Sequence, residues 1–251
     1  MLPEPVVKKF QLFNEFRELL HGFSTRQGGF SKAPFDELNL GLSTPDDPQV
    51  VKRNRQLFFK ELKLPNNYLV FPQQTHSANV QIVNKPGIVS NCDALITNQK
   101  NLFLTVQTAD CFPVFIFDPL KKVVALVHSG WRGTAQNIVG RTIKKMEKNF
   151  GCKAVDLLVA IGPGVQQTCY QVDEKTANYF QQRFLQPDGP GHFKLDVQSK
   201  IIAQLKECRV PESQIEWDSQ CTHCAKEAYY SYRRDGLNSG RMMGIIGIVG
   251  A

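Results

Sequence analysis

Two histidines and one cysteine are the residues of this 251-residue chain best suited to chemistry. His76 stands in FPQQTHSANV, Cys111 in VQTADCFPV and His128 in ALVHSGW. Each lies at the end of an apolar run or in a turn between two such runs, next to small polar residues. Separations of 35 and 17 residues exclude a local zinc finger but leave room for intervening strands whose ends converge. Two imidazoles and a thiolate suit tetrahedral Zn²⁺, and three protein ligands leave a fourth position open. Water at such a position has its pKa lowered to about 7, less so where a thiolate adds charge. Copper accepts the same donors. A full set of copper centres needs more imidazoles than the five present, His21, His76, His128, His192 and His223. Two other accounts fit the same spacing. Cys111 is a nucleophile with His128 as its base, or it is a small buried hydrophobe beside structural histidines.

Other polar residues surround these three in the sequence. Gly130 and Gly133 flank Trp131 and Arg132. They allow a tight turn into a helix whose first N–H groups, with Arg132, form a corner for an anion. An Arg132 salt bridge beside a plain helix cap fits equally. Arg26 in STRQGG and Arg233 and Arg234 in SYRRDG are further candidates for phosphate or carboxylate contact. Asp110 is placed to orient a histidine, accept a proton or cap a turn. CTHC, residues 221–224, has metal or redox spacing, but a structural zinc site needs a second pair and the sequence has none. It reads as two ordinary cysteines near a helix start, and Cys92, Cys152, Cys169 and Cys208 read as core or incidental residues.

The elements that must position these residues are mostly strands. YLVFP, NVQIV, DALIT, LFLTVQT, PVFIFD and KVVALVH are short β-rich runs separated by turn residues. DLLVAIGP reads as a buried strand, Phe23 and Thr25 mark a short one, and RMMGIIGIV a last one. A helix is expected from about Asp47, which with Pro48 opens DDPQVVKRNRQLFFKELKL. A second is expected over 134–150, capped by Thr134, stopped at Gly151, with Val139, Ile143, Met146 and Phe150 as its apolar stripe. Residues 173–185 and 196–208 also read as helical. Strand runs with separate helices give an α+β class with mixed sheets.

The whole chain sets limits on function. Its 42% hydrophobic and 21% charged residues are ordinary for a globular protein. A net charge of +7 favours anionic partners, yet the basic residues are scattered and no nucleic-acid motif is present. The charge reads first as a solvated basic surface; a phosphate-bearing small molecule is the anionic partner expected, and no nucleic acid. Seven cysteines, an odd number, argue for a reducing compartment. The N-terminal residues lack a signal-peptide core and no apolar run approaches membrane-spanning length. A cytoplasmic protein without a membrane partner is expected.

Taken together, GFSTRQGGFS, QQTHSANV, CDALITN, TADCFPVFIFD, VALVHSGWRGT, AIGPGVQQTCYQV and YYSYRRDGLNSGRM resemble the laccase-domain family. This is also called the multicopper polyphenol oxidase or peptidoglycan editing factor family. The match runs in order over about residues 22–245. The resemblance implies a single α+β domain over 1–251, of mixed β-sheets with flanking helices, related to the catalytic domain of cytotoxic necrotizing factor. It implies zinc held by His76, Cys111 and His128. It also implies phosphorolysis of adenosine, inosine, guanosine and methylthioadenosine, and deamination of adenosine. Catalytic roles are then expected at His76, Cys111, His128 and Asp110, and substrate contacts at Arg26, Gln74 and Arg132. The expected partners are a purine nucleoside and phosphate, for a monomer or homodimer. Cysteine hydrolysis, copper-dependent phenol oxidation and peptidoglycan precursor editing are the alternatives. Ser129 departs from the family's usual Ala, and Val165 and Gln166 from its usual Ile and Gly, which bears on that loop and leaves the metal ligands intact.

Overall fold

A computed structural model describes residues 4–64 and 68–250; Met1–Pro3 of the N-terminal segment and Ala251, the end of the expected domain, lie outside the described residues. Along the chain come β1 (Val7–Lys8), β2 (Leu19–Ser24) and α1 (Pro48–Glu61). Seven strands follow: β3 (Leu69–Pro72), β4 (Val80–Ile82), β5 (Gly87–Val89), β6 (Ala94–Thr97), β7 (Phe103–Thr108), β8 (Phe112–Asp118) and β9 (Val123–Ser129). Then come α2 (Trp131–Ala135), α3 (Ile138–Phe150), β10 (Leu158–Ile161), β11 (Gln171–Asp173), α4 (Glu174–Ala177), β12 (Leu185–Pro187), β13 (His192–Leu195) and α5 (Val197–Glu207). β14 (Ile215–Trp217), α6 (Tyr232–Asp235) and β15 (Met242–Ile248) complete the fold.

Two six-stranded mixed sheets carry the molecule, in the orders β1-β2-β15-β7-β3-β5 and β14-β10-β8-β9-β6-β4; a small third sheet is β11-β13-β12. The longest pairing is the antiparallel β8–β9 hairpin, in register from Phe112 opposite Ser129 to Asp118 opposite Val123. All fourteen of its strand residues are buried. Alternation sorts their side chains into two cores. Phe112, Val114, Ile116, Val123, Ala125 and Val127 pack in one layer with Ile138, Val139, Ile143 and Met146 of α3 and Ile201 and Leu205 of α5. Phe115, Phe117, Val124 and Leu126 pack in the other with Leu104, Val106, Met242 and Ile246 of the first sheet. The far face of that sheet, through Leu69, Phe103, Met243 and Ile245, is covered by Phe58, Phe59 and Leu62 around α1. The order of layers is therefore helix, sheet, sheet, helices, in one α+β domain. Strands buried on both faces explain why PVFIFD and KVVALVH read as continuous apolar runs.

α1 starts as expected: the Asp47 carboxylate accepts from Gln49 N at 2.8 Å, with Pro48 in the first turn. The helix expected over 134–150 is instead two. α2 begins at Trp131 with Gly130 as its cap, and α3 begins at Ile138, capped by Asn137 in the left-handed region (φ 60°). Thr134 is not a cap: its hydroxyl donates to Gly130 O within the first helix, 2.9 Å. Gly151 does terminate α3, at φ 67°. The helix expected over 173–185 is only α4, because β12 pairs with β13 and takes Leu185–Pro187 into the third sheet. Residues 197–207 are helical, as read.

Candidate metal centre

The three soft donors meet at one end of the second sheet, where β9 ends and β6 and β8 begin. His128 is the penultimate residue of β9, opposite Pro113, a residue with no N–H to offer. Its own N–H donates to Asp93 O at 2.7 Å. Cys111 immediately precedes β8, and the residue before it, Asp110, is bent into a left-handed conformation (φ 86°). His76 reaches the same place from the β3–β4 loop, also left-handed at φ 56°. The ligand atoms of His76, Cys111 and His128 all lie within 4.8 Å of one another, and the two imidazole rings sit edge to face at 4.9 Å. His128 is buried, Cys111 half-buried and His76 exposed, so the cluster opens to one side.

One buried carboxylate arranges two of the three. Asp93 Oδ1 accepts from His128 Nδ1 at 2.9 Å and from His76 N at 3.0 Å. Its Oδ2 accepts from Ser77 N and Ser77 Oγ, both at 2.7 Å, and from Thr75 N at 3.2 Å. Burial alone would raise the Asp93 carboxyl, but the donors His128 and Ser77 hold it well below the usual carboxylate range. Burial also disfavours a Cys111 thiolate. The His128 imidazolium and hydrogen bonds from both histidines outweigh this and bring the thiol down to about 6 from 9.0. Burial would likewise lower His128, but the Cys111 thiolate and the Asp93 bond raise its ring to about 9. Without an ion, this geometry favours an imidazolium at His128 between the Asp93 carboxylate and a Cys111 thiolate.

Gly130 answers to this cluster. A Cβ placed there would stand 2.8 Å from Cys111 Sγ and 3.4 Å from the His76 ring, so only glycine fits between the strand end and the donors. Gly133 is similar, with Ser77 O at 3.0 Å from its would-be Cβ. The donor set fits a tetrahedral ion: Zn–S of about 2.3 Å and Zn–N of about 2.0–2.1 Å imply N···S edges of roughly 3.5 Å. With Nδ1 bonded to Asp93, His128 keeps Nε2 for a metal, and a carboxylate behind a ligating histidine is the usual outer support.

The sequence profile described as "Multi-copper polyphenol oxidoreductase laccase" matches residues 20–249. The chain belongs to this family. Among similar relatives is the "Purine nucleoside phosphorylase YlmD" of Bacillus subtilis (strain 168), 31% identical over 248 residues, covering 92% of this chain and 89% of the relative. Two solved structures superpose over nearly all of both chains. "Bacillus licheniformis hypothetical protein YfiH" gives a TM-score of 0.92 at 30% identity, covering 98% of this chain and 97% of that one. "YlmD from Geobacillus stearothermophilus" gives 0.88 at 32% identity, covering 94% of each.

Within this laccase-family chain the other expected site residues are distributed unevenly. Asp110 adjoins the cluster, but its carboxylate accepts from Thr222 Oγ1 at 2.7 Å and Arg233 N at 2.6 Å, while the aspartate holding His128 is Asp93. Gln74 exchanges both its amide groups with the Gln107 backbone, at 2.8 Å each. Arg26 donates to Asp36 O at 2.7 Å and Lys226 O at 3.0 Å, and lies over the Tyr230 ring. Arg132 is exposed, with its guanidinium over Trp131 at 4.3 Å. Arg234 donates to the carbonyls of Thr222, His223 and Tyr229. Three residues at the site had no role in the sequence reading. Asp93 is one. Tyr170 is another: partial burial holds its phenol above the usual range, and the charges of Cys111, Arg233, Asp110 and Arg132 act on it. The third is Arg241, close enough to Cys111 and Asp110 for their charges to act on it. Asp93 stands in CDALITN and Tyr170 in QQTCYQV, so the motifs contained the signal; the pairing across 35 residues did not show in one dimension.

Proposed function

We propose that the chain is a zinc-dependent purine nucleoside phosphorylase that also deaminates adenosine. The observation that carries this is the convergence of His76, Cys111 and His128, with ligand atoms within 4.8 Å and one side open, in a chain whose relatives bear the phosphorylase name. Zinc bound there would supply an open Lewis-acid position. The remaining work belongs to the protein. Asp93 fixes the tautomer of His128 and the loop of His76. Arg132 and Arg233, both exposed and both acting on Tyr170, form a basic rim for a phosphate dianion. In phosphorolysis a phosphate oxygen attacks ribose C1′, the bond from C1′ to the purine N9 breaks, and the electron pair leaves with the purine, which takes up a proton. Holding phosphate and nucleoside in line is where the rim contributes. In deamination water displaces the 6-amino group as ammonia.

Pure protein incubated with adenosine and phosphate is expected to yield adenine and ribose 1-phosphate, and inosine by the second activity, at rates that vanish in Cys111→Ala. If chromatography shows neither product above that control, the proposal fails. A second function is favoured by one specific observation, the Asp93–His128–Cys111 chain, which is the arrangement of a cysteine hydrolase. Elemental analysis separates the two. Stoichiometric zinc supports the phosphorylase, whereas metal-free protein inactivated rapidly by a thiol alkylator supports the hydrolase; stoichiometric copper would support the oxidase in the family's name.

A further inference from the structure

A second cluster of soft donors lies outside the centre. Cys169 ends the single helical turn Gln167–Cys169, and His223 and Cys224 belong to CTHC, more than fifty residues later. Their ligand atoms all lie within 4.8 Å of one another. Cys169 Sγ and Cys224 Sγ are 3.2 Å apart, far beyond the roughly 2.05 Å of a disulfide. Cys221 stands beside this group and outside it: its sulfur accepts from Gln166 N at 3.4 Å and lies close enough to Cys169 and Cys224 to act electrostatically on both. The partner for CTHC that the sequence lacks as a second C-x-x-C is thus a single cysteine from the GPGVQQTC loop.

We infer that Cys169, Cys221, His223 and Cys224 form a second metal site, a closed structural one that takes Zn²⁺ through three thiolates and one imidazole. Four soft donors without carboxylates select zinc over magnesium or calcium. Tetrahedral zinc–thiolate geometry needs S···S edges of roughly 3.8 Å; Cys169 and Cys224, at 3.2 Å, are within about an ångström of that, and Cys221, outside the 4.8 Å group, would close onto the ion as the fourth ligand. The ligands come from two irregular segments, so the ion replaces the packing those segments lack. It would also act on the catalytic end. Thr222 lies between two ligands and donates to Asp110, beside Cys111; Val165, close to Cys169, donates to Asp110 O; and Gly164 bridges to Cys221. The cluster stands independently of whatever ion the first site holds.

The test uses full-length protein purified without a metal-affinity tag after growth with added zinc. In His76→Ala/Cys111→Ala, where the first site is dismantled, about one zinc per chain is expected. Adding His223→Ala/Cys224→Ser is expected to bring it to zero. Cobalt titration of the His76→Ala/Cys111→Ala protein is expected to give the intense charge-transfer and ligand-field bands of a multi-thiolate tetrahedral site, absent after Cys169→Ser. Folded His76→Ala/Cys111→Ala protein with neither zinc nor cobalt bands overturns the inference. So does native mass spectrometry showing a loss of two protons as a Cys169–Cys224 disulfide in freshly isolated protein. Wild-type protein with one zinc that survives His76→Ala would sink the first-site assignment and leave this one standing.

Discussion

At the scale of single residues, Asp93 is the group on which the centre depends most. Its two oxygens bind His128 and the whole Thr75–Ser77 backbone turn, so one carboxylate sets the orientation of two of the three donors. Asp93→Asn keeps the shape but offers an N–H where an acceptor is needed. It is expected to weaken metal affinity about 10–100-fold, measured by competition with a chromophoric chelator, with His76 N–H resonances shifted as the loop loosens. Cys111 gives a second expectation. In metal-free protein its folded thiol is depressed from 9.0 to about 6, so the thiolate persists as pH falls until about 6, while His128 stays charged up to about 9. Alkylation by iodoacetamide is expected to be nearly flat between pH 9 and 7 and to halve near 6. A midpoint near 9 would show that the ion pair does not exist. The convergence of the three soft side chains was legible in the sequence because cysteine and histidine at strand ends or turns beside small polar residues are chemically distinctive. Asp93 was not, since an aspartate before an apolar run reads as a turn residue. Gln74 and Arg26 were polar residues in the right motifs whose side chains the fold uses for backbone hydrogen bonds.

At the scale of elements, the question is how a strand hands its chain to a helix beside a cluster of donors. β9 ends at Ser129, Gly130 caps α2, and α2 lasts five residues before Asn137 turns the chain into α3. The break escaped the sequence pattern because threonine before a periodic run looks like a cap. Asn137, three residues on, performs that task by accepting from Gly140 N at 3.2 Å. Gly130→Ala is expected to push the added methyl against Cys111 Sγ. Turnover is expected to fall by roughly 100-fold, as for an ångström-scale misplacement of a reacting group, with far-UV circular dichroism unchanged. Wild-type activity in that variant would show that the close approach is immaterial. The longer strands were legible from their apolar runs, but the two- and three-residue strands β1, β5 and β14 were not, nor were β11, β12 and β13, whose short segments become strands only by pairing with one another.

At the scale of the whole molecule, four layers enclose two cores, and the small N-terminal hairpin closes one edge of the inner one. There His21 is buried against Phe10 and Phe13, accepting from Phe10 N at 3.0 Å. Burial, with Lys9 nearby, lowers its ring to about 4 from 6.5. The unfolded chain therefore binds more protons than the folded one between pH 6.5 and 4, and stability falls as pH drops through that window. The fall from 6.5 to about 4 sets an upper bound of roughly 3–4 kcal/mol. Chemical denaturation from pH 7 to 4 is expected to show that slope, and His21→Phe is expected to reduce it. An unchanged slope would place the acid sensitivity elsewhere. Layer order was not written in the sequence, because alternation shows that a strand has two buried faces but not which neighbour covers each.

The β8–β9 hairpin forms the partition between the two oily layers, and its two tips hold Cys111 and His128. The amide protons of its buried strand residues are expected to exchange only through global opening. On the proposed function, stripping the ion and melting the chain are therefore expected to be separate events. A chelated protein is expected to keep its socket open and shaped, and handing the ion back is expected to restore turnover as fast as the ion can diffuse in, with no pause for refolding.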